Sequence, residues 1–178
     1  MSIGTIGTIG TIGTIGTIGT LHPTLLHPTL VPASATELQR IAAYYARNPN
    51  LGVLLRGTGE RSWARLADDS GVELWLISWP EDTETGWHDH GRSVGAFAVA
   101  SGSVVEQTWA TGAVRQRRLA AGDFRSFGVR HVHNVRGSAP GRSLTVHAYA
   151  PRLLTMNRHE LSAQGPRPVG TTNEGAGW

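Results

Sequence analysis

Apolar and polar residues alternate over short stretches along most of the chain, and in one place only does the spacing turn helical. Leu38, Ile41, Ala42 and Tyr45 recur at three- and four-residue intervals; Ser34 and Glu37 form a reciprocal helix-start pair, and Asn48-Pro49 stops the run. Strands are predicted at Ser62 to Leu66, Val72 to Trp79, Ser93 to Ala100, Ser103 to Thr108, Ala113 to Leu119, Phe124 to Phe127, His131 to Arg136 and Arg142 to Tyr149. Between them stand Asp69-Ser70-Gly71, Ala100-Ser101-Gly102, Thr111-Gly112, Ala121-Gly122-Asp123 and Ala139-Pro140-Gly141, the punctuation of antiparallel hairpins. Many short strands behind one short N-terminal helix predict an all-β small barrel or double-sheet jelly roll.

The ends lack either period. Ile3 to Thr20 is six copies of Ile-Gly-Thr, and Leu21 to Leu30 repeats Leu-His-Pro-Thr-Leu. A three-residue period fits neither strand nor helix, and a glycine in every repeat raises the entropy lost on ordering. His22 and His27 are read as part of this low-complexity tract. The expected organisation is a disordered tail over 1–33, a domain over 34–160 and a flexible, Gly/Pro-rich tail over 161–178.

Composition narrows the function classes. At 178 residues the chain holds one domain, and no run approaches eighteen apolar residues or a secretory signal, so neither a membrane partner nor export is expected. Cytoplasmic location is the default expectation, with a monomer as the expected state. The absence of cysteine excludes disulfides, thiolate metal sites and cysteine nucleophiles. All sixteen basic residues are arginine, yet net charge is only +3 and the densest run, Arg115, Arg117 and Arg118, reads as a solvated strand face; nucleic acid is not an expected partner.

The chemistry lies in the histidines. His88 and His90 stand two apart in Trp87-His88-Asp89-His90, so on a strand both imidazoles share a face and Asp89 takes the other. His131 and His133 repeat the spacing, and His147 lies between Thr145 and Tyr149 at the same period. Imidazoles from facing strands can converge on one ion. Without thiolate or carboxylate, such a site favours iron, zinc, nickel or copper over magnesium or calcium, and spacing does not choose among them.

His88-Asp-His-Gly-x-Ser-x-Gly95 and Ser143-Leu-Thr-Val-His-Ala-Tyr-Ala-Pro151 resemble motifs of the bacterial cysteine dioxygenases (type I), thiol dioxygenases of the cupin superfamily. The resemblance spans roughly Ser62 to Met156 and implies a cupin-type jelly-roll barrel binding Fe(II). Counting back fourteen residues from His147 reaches His133, which implies His88, His90 and His133 as iron ligands, with His131 as the alternative third. Thr145, His147 and Tyr149 resemble the family's catalytic relay. Arg65, with Trp63 before it, resembles the carboxylate-binding pair, and Arg61 competes for that role.

The sequence also departs from the family. Gly95 stands where some members carry a cysteine crosslinked to the active-site tyrosine, and Gly137 stands where an asparagine is usual. The implied reaction is oxidation of a small thiol by O2 to its sulfinic acid, with L-cysteine as leading substrate and 3-mercaptopropionate or a related mercapto acid as alternative. A cupin of other metal chemistry and a metal- or acid-binding sensor domain without turnover are the remaining readings.

Overall fold

The computed structural model describes residues 33–55, 59–69 and 71–173. The N-terminal repeats, where disorder is expected, lie outside the described residues. Helix α1, Ala35–Ala46, starts as the sequence predicts: the Ser34 hydroxyl accepts from the Glu37 backbone N–H, and the Glu37 carboxylate accepts from that of Ser34 at 2.7 Å. A single turn, α2 (Leu51–Leu54), follows Pro49.

Eleven strands come next: β1 Ser62–Asp69, β2 Val72–Pro80, β3 His88–Asp89, β4 Val94–Ser101, β5 Ser103–Ala110, β6 Ala113–Ala120, β7 Phe124–Phe127, β8 His133–Gly137, β9 Arg142–Ala150, β10 Thr155–Ser162 and β11 Gly165–Asn173. They form a five-stranded sheet, β1-β2-β9-β4-β7, and a six-stranded sheet, β11-β10-β3-β8-β5-β6, with antiparallel neighbours. Among the described residues no helix is long and apolar enough to cross a membrane.

Strand parity divides the core into two. On the five-stranded sheet Leu74, Leu76, Ala96, Ala98, Leu144, Val146 and Ala148 face outward and pack with Leu38 and Ala42 of α1. The alternate residues Trp79, Phe97, Val99 and Tyr149 face inward and meet Val104, Leu119, Val135 and Met156 of the other sheet. The helix thus covers one face of a sheet whose other face lines the barrel interior.

Two expectations need correction. Residues 161–173 are not a loose tail: they complete β10 and form β11, turning at Ala163-Gln164. Pro166 and Pro168 hid the strand, yet β11 is the sheet edge, where a residue without an N–H costs least. Likewise, the strand expected from His131 begins at His133, because Arg130 turns the chain with φ 63° just before it.

Candidate active site

Two short strands, β3 and β8, bring the histidines together. His88 opens the two-residue β3 and is the ladder partner of His133 on β8, so both rings leave the six-stranded sheet on its inner face. His90 follows on the same face. The ring centroids lie 4.7 Å (His88–His133), 4.9 Å (His88–His90) and 5.1 Å (His90–His133) apart, and one nitrogen from each lies within 4.8 Å of the others. All three are buried.

The surroundings leave a lone pair on each ring. His88 Nδ1–H donates to the Gly86 carbonyl at 2.9 Å and His133 Nδ1–H to Glu106 Oε1 at 2.9 Å, freeing both Nε2 atoms. Among the described residues neither nitrogen of His90 has a hydrogen-bond partner although both are buried, and its ring stacks on Phe127 at 4.8 Å. Buried polar atoms without partners are costly, and a coordinated cation would satisfy them. Burial, the largest cause, pushes the pKa of all three histidines down, which keeps the imidazoles neutral as ligands must be. This donor set fits a divalent metal held by three nitrogens.

Glu106 is the site residue that the sequence reading missed. It is 2% exposed and accepts from His133, from His131 Nε2 at 3.0 Å and from Arg125 Nε at 2.8 Å. Burial opposes its charge, but the hydrogen bonds from His131 and His133 and the Arg125 cation hold its carboxyl well below the usual range. The available signal was parity: Glu106 shares its face with Val104, an unusual place for an acid without a partner. His131, the alternative third ligand, also groups with Glu106 and His133, but not with His88 and His90. It is half-buried, stacked on Phe127 at 5.1 Å.

On the opposite sheet Thr145, His147 and Tyr149 project inward from β9 as a chain. The Trp79 indole N–H donates to Thr145 Oγ1 at 2.8 Å; that oxygen lies 2.8 Å from His147 Nε2, and His147 Nδ1 lies 3.2 Å from the Tyr149 hydroxyl. With Trp79 donating to it, the Thr145 hydroxyl is able to give its own proton to Nε2, and in that tautomer the ring is protonated at Nδ1. Nδ1–H then donates to the Tyr149 oxygen and leaves the phenolic proton for a ligand. Burial, the largest cause, pulls His147 down to about 3, with the Arg61 charge adding to it, and burial raises Tyr149 above its ordinary value, so both are neutral near pH 7.

A cavity of about 30 Å³ joins the two halves. Arg61, Trp63, Trp75, Trp79, His88, His133, His147 and Tyr149 are among its lining residues. Trp63 is therefore in place, whereas Arg65 is not. Arg65 lies beyond the lining, against Asp68 at 3.0 Å and Glu73 at 3.6 Å and over the Trp75 ring. Arg61 takes the lining position, with its guanidinium carbon 5.3 Å from the Trp63 ring centroid and 5.6 Å from that of Trp79. All three belong to one alternating series, and the four positions from Arg61 to Arg65 carry the latter past the cavity.

The family model for cysteine dioxygenase type I matches residues 31–162. The chain belongs to that family. Among solved structures it is similar to a protein of Thermus thermophilus (19% identity, TM-score 0.51), covering 60% of this chain and 98% of that one. It is also similar to a cupin superfamily protein of Desulfitobacterium hafniense (13%, TM-score 0.50), covering 59% and 90%. Both are likenesses of fold. No curated protein matches the chain.

Both departures from the family's motifs have physical reasons here. A Cβ at Gly95 would lie 2.5 Å from Phe127 Cε2 and 2.9 Å from Tyr149 Cδ1, so Phe127 fills the space that a side chain would need. A Cβ at Gly137 would lie 2.5 Å from the Pro80 carbonyl oxygen, so glycine permits the close approach of β8 to the end of β2. Asp89 points outward as its parity predicts. Its carboxylate accepts from Gly91 N, Asn157 Nδ2 and His159 Nε2 at 2.8 to 2.9 Å, which ties His159 of β10 to β3.

Proposed function

We propose that this protein is an iron-dependent thiol dioxygenase that converts a small thiol carboxylate and O2 to the sulfinic acid. One observation carries the reading: a three-histidine donor set without a carboxylate ligand faces a neutral Tyr149–His147–Thr145 chain across a cavity that also holds Arg61. His88, His90 and His133 would hold ferrous iron, which when bound supplies Lewis acidity toward sulfur and the one-electron steps that O2 chemistry requires.

The chain's own residues do the rest. Arg61 offers a planar two-pronged clamp for a carboxylate, fixed by stacking on Trp63 and Trp79, and so sets the distance from that carboxylate to the histidines. Trp63, Trp75, Trp79 and Tyr149 make much of the cavity wall aromatic. Tyr149 presents its phenolic proton to an oxygen of the substrate or of O2, and His147 and Thr145 hold that proton's direction. The reaction balances without a co-reductant: RSH + O2 gives RSO2H, sulfur losing four electrons as both oxygen atoms join it.

L-Cysteine, the substrate for which the family is named, and 3-mercaptopropionate each present a thiol and a carboxylate at suitable spacing. Anaerobic loading with ferrous iron followed by addition of O2 and either thiol tests the reading. The expected result is one sulfinate formed per O2 consumed, lost when zinc replaces iron. Disulfide or peroxide as the product, or equal rates with zinc, would overturn it.

A further inference from the structure

The three histidine rings are not held alike. His88 and His133 each donate a ring N–H, to the Gly86 carbonyl and to Glu106 Oε1, both at 2.9 Å, and a bond of that kind fixes the tautomer and the plane of a metal ligand. His90 makes no such bond among the described residues, although both its nitrogens are buried. Ring packing sets its plane instead. Phe127 stacks on it with centroids 4.8 Å apart and planes 20° apart, and Tyr149 lies tilted against it at 5.0 Å.

Phe127 is itself closely seated. His131 stacks on it at 5.1 Å with planes 15° apart, and His131 Nε2 meets the same Glu106 oxygen that takes the His133 proton. Gly95 is the ladder partner of Phe127 across β4 and β7, and a Cβ there would lie 2.5 Å from Phe127 Cε2 and 2.6 Å from Cζ, so the ring fills the space of the missing side chain. Phe127 is not among the described residues lining the cavity, so its route to the reaction runs through His90.

We propose that Phe127 is the positioning residue of the His90 ligand: seated against His131 and over Gly95, it fixes the plane of an imidazole that no hydrogen bond orients. Glu106 thereby governs two of the three donors, His133 directly and His90 through His131 and Phe127. The inference rests on the three-histidine metal site and gives His131, the alternative third ligand of the sequence, a different role.

Cobalt(II) binding to the metal-free protein, followed by chelator competition and by the visible ligand-field bands of the ion, reads the site without turnover. Phe127→Leu, which keeps an apolar group but no ring plane, is expected to weaken cobalt about tenfold and to shift the bands. Gly95→Ala, whose methyl displaces the Phe127 ring, is expected to do the same, and the two together to lose less than the product of the separate losses, because both act on one ring. Leu76→Val, in the helix-covered layer, is expected to lower the Tm of the metal-free protein with cobalt affinity and bands unchanged. Unaltered affinity and bands in Phe127→Leu and Gly95→Ala, or an equal loss in Leu76→Val, would sink this inference alone. A wild-type protein that takes up no cobalt would sink the metal-site reading with it.

Discussion

Arg61 and Arg65 have the same chemistry and the same strand parity, and only position along the barrel separates them. Arg61→Ala removes a charged contact of about 1.5–3 kcal/mol, so KM for a thiol carboxylate is expected to rise roughly 10- to 100-fold. Arg65→Ala, which loosens contacts to Asp68 and Glu73, is expected to lower thermal stability and to move KM less than threefold; steady-state kinetics on both variants checks the assignment. For Glu106→Gln the expected loss is in metal affinity, about 10- to 100-fold, because the amide no longer draws the His133 Nδ1 proton. Competition against a chelator of known affinity measures it, and unchanged affinity would reduce Glu106 to a packing residue. Parity in the sequence put the histidine pairs and the alternate residues of β9 on shared faces, while the family resemblance, and not parity, favoured His133 over His131. Parity also puts Glu106 on the inner face, but the roles of Glu106 and Arg61 rest on groups distant in sequence: His131, His133 and Arg125 for one, Trp79 and Tyr149 for the other.

At the level of elements, local signals were legible and edge pairing was not. The cap of α1 was visible in Ser34 and Glu37, and its loss in Ser34→Ala is expected to cost about 1 kcal/mol and lower Tm by about 3 °C, read by calorimetry. A larger drop would mean that Ser34 also anchors the residues before it. The eight predicted strands are all present, most within one or two residues of their ends, since glycine turns mark where hairpins reverse. Hidden were β3, two residues long and held by neighbours on both sides, and the β10–β11 hairpin, whose prolines are tolerated only because its outer strand lies at the edge. Asp89 ties these two together, and nothing local in Trp87-His88-Asp89-His90 announces Asn157 or His159 as its partners.

For the whole molecule, the metal site and the fold are thermodynamically linked. The donor nitrogens come from both β3 and β8, so an unfolded chain offers no comparable site, and metal at 100 times its dissociation constant is expected to add about 2.7 kcal/mol of stability. Calorimetric scans with and without ferrous iron under nitrogen should show Tm rising with metal concentration. An unchanged Tm would mean that the site does not bind iron at the concentrations used. Strand β9 carries a further liability. Its even-numbered positions from Leu144 to Ala148 belong to the helix-covered layer, and its odd-numbered ones, Thr145 to Tyr149, to the chemistry. A single-residue deletion early in this strand would therefore invert it, seating histidine and tyrosine beneath α1 and aliphatic groups beside the three-histidine cluster, whereas a two-residue change would keep each class on its own side.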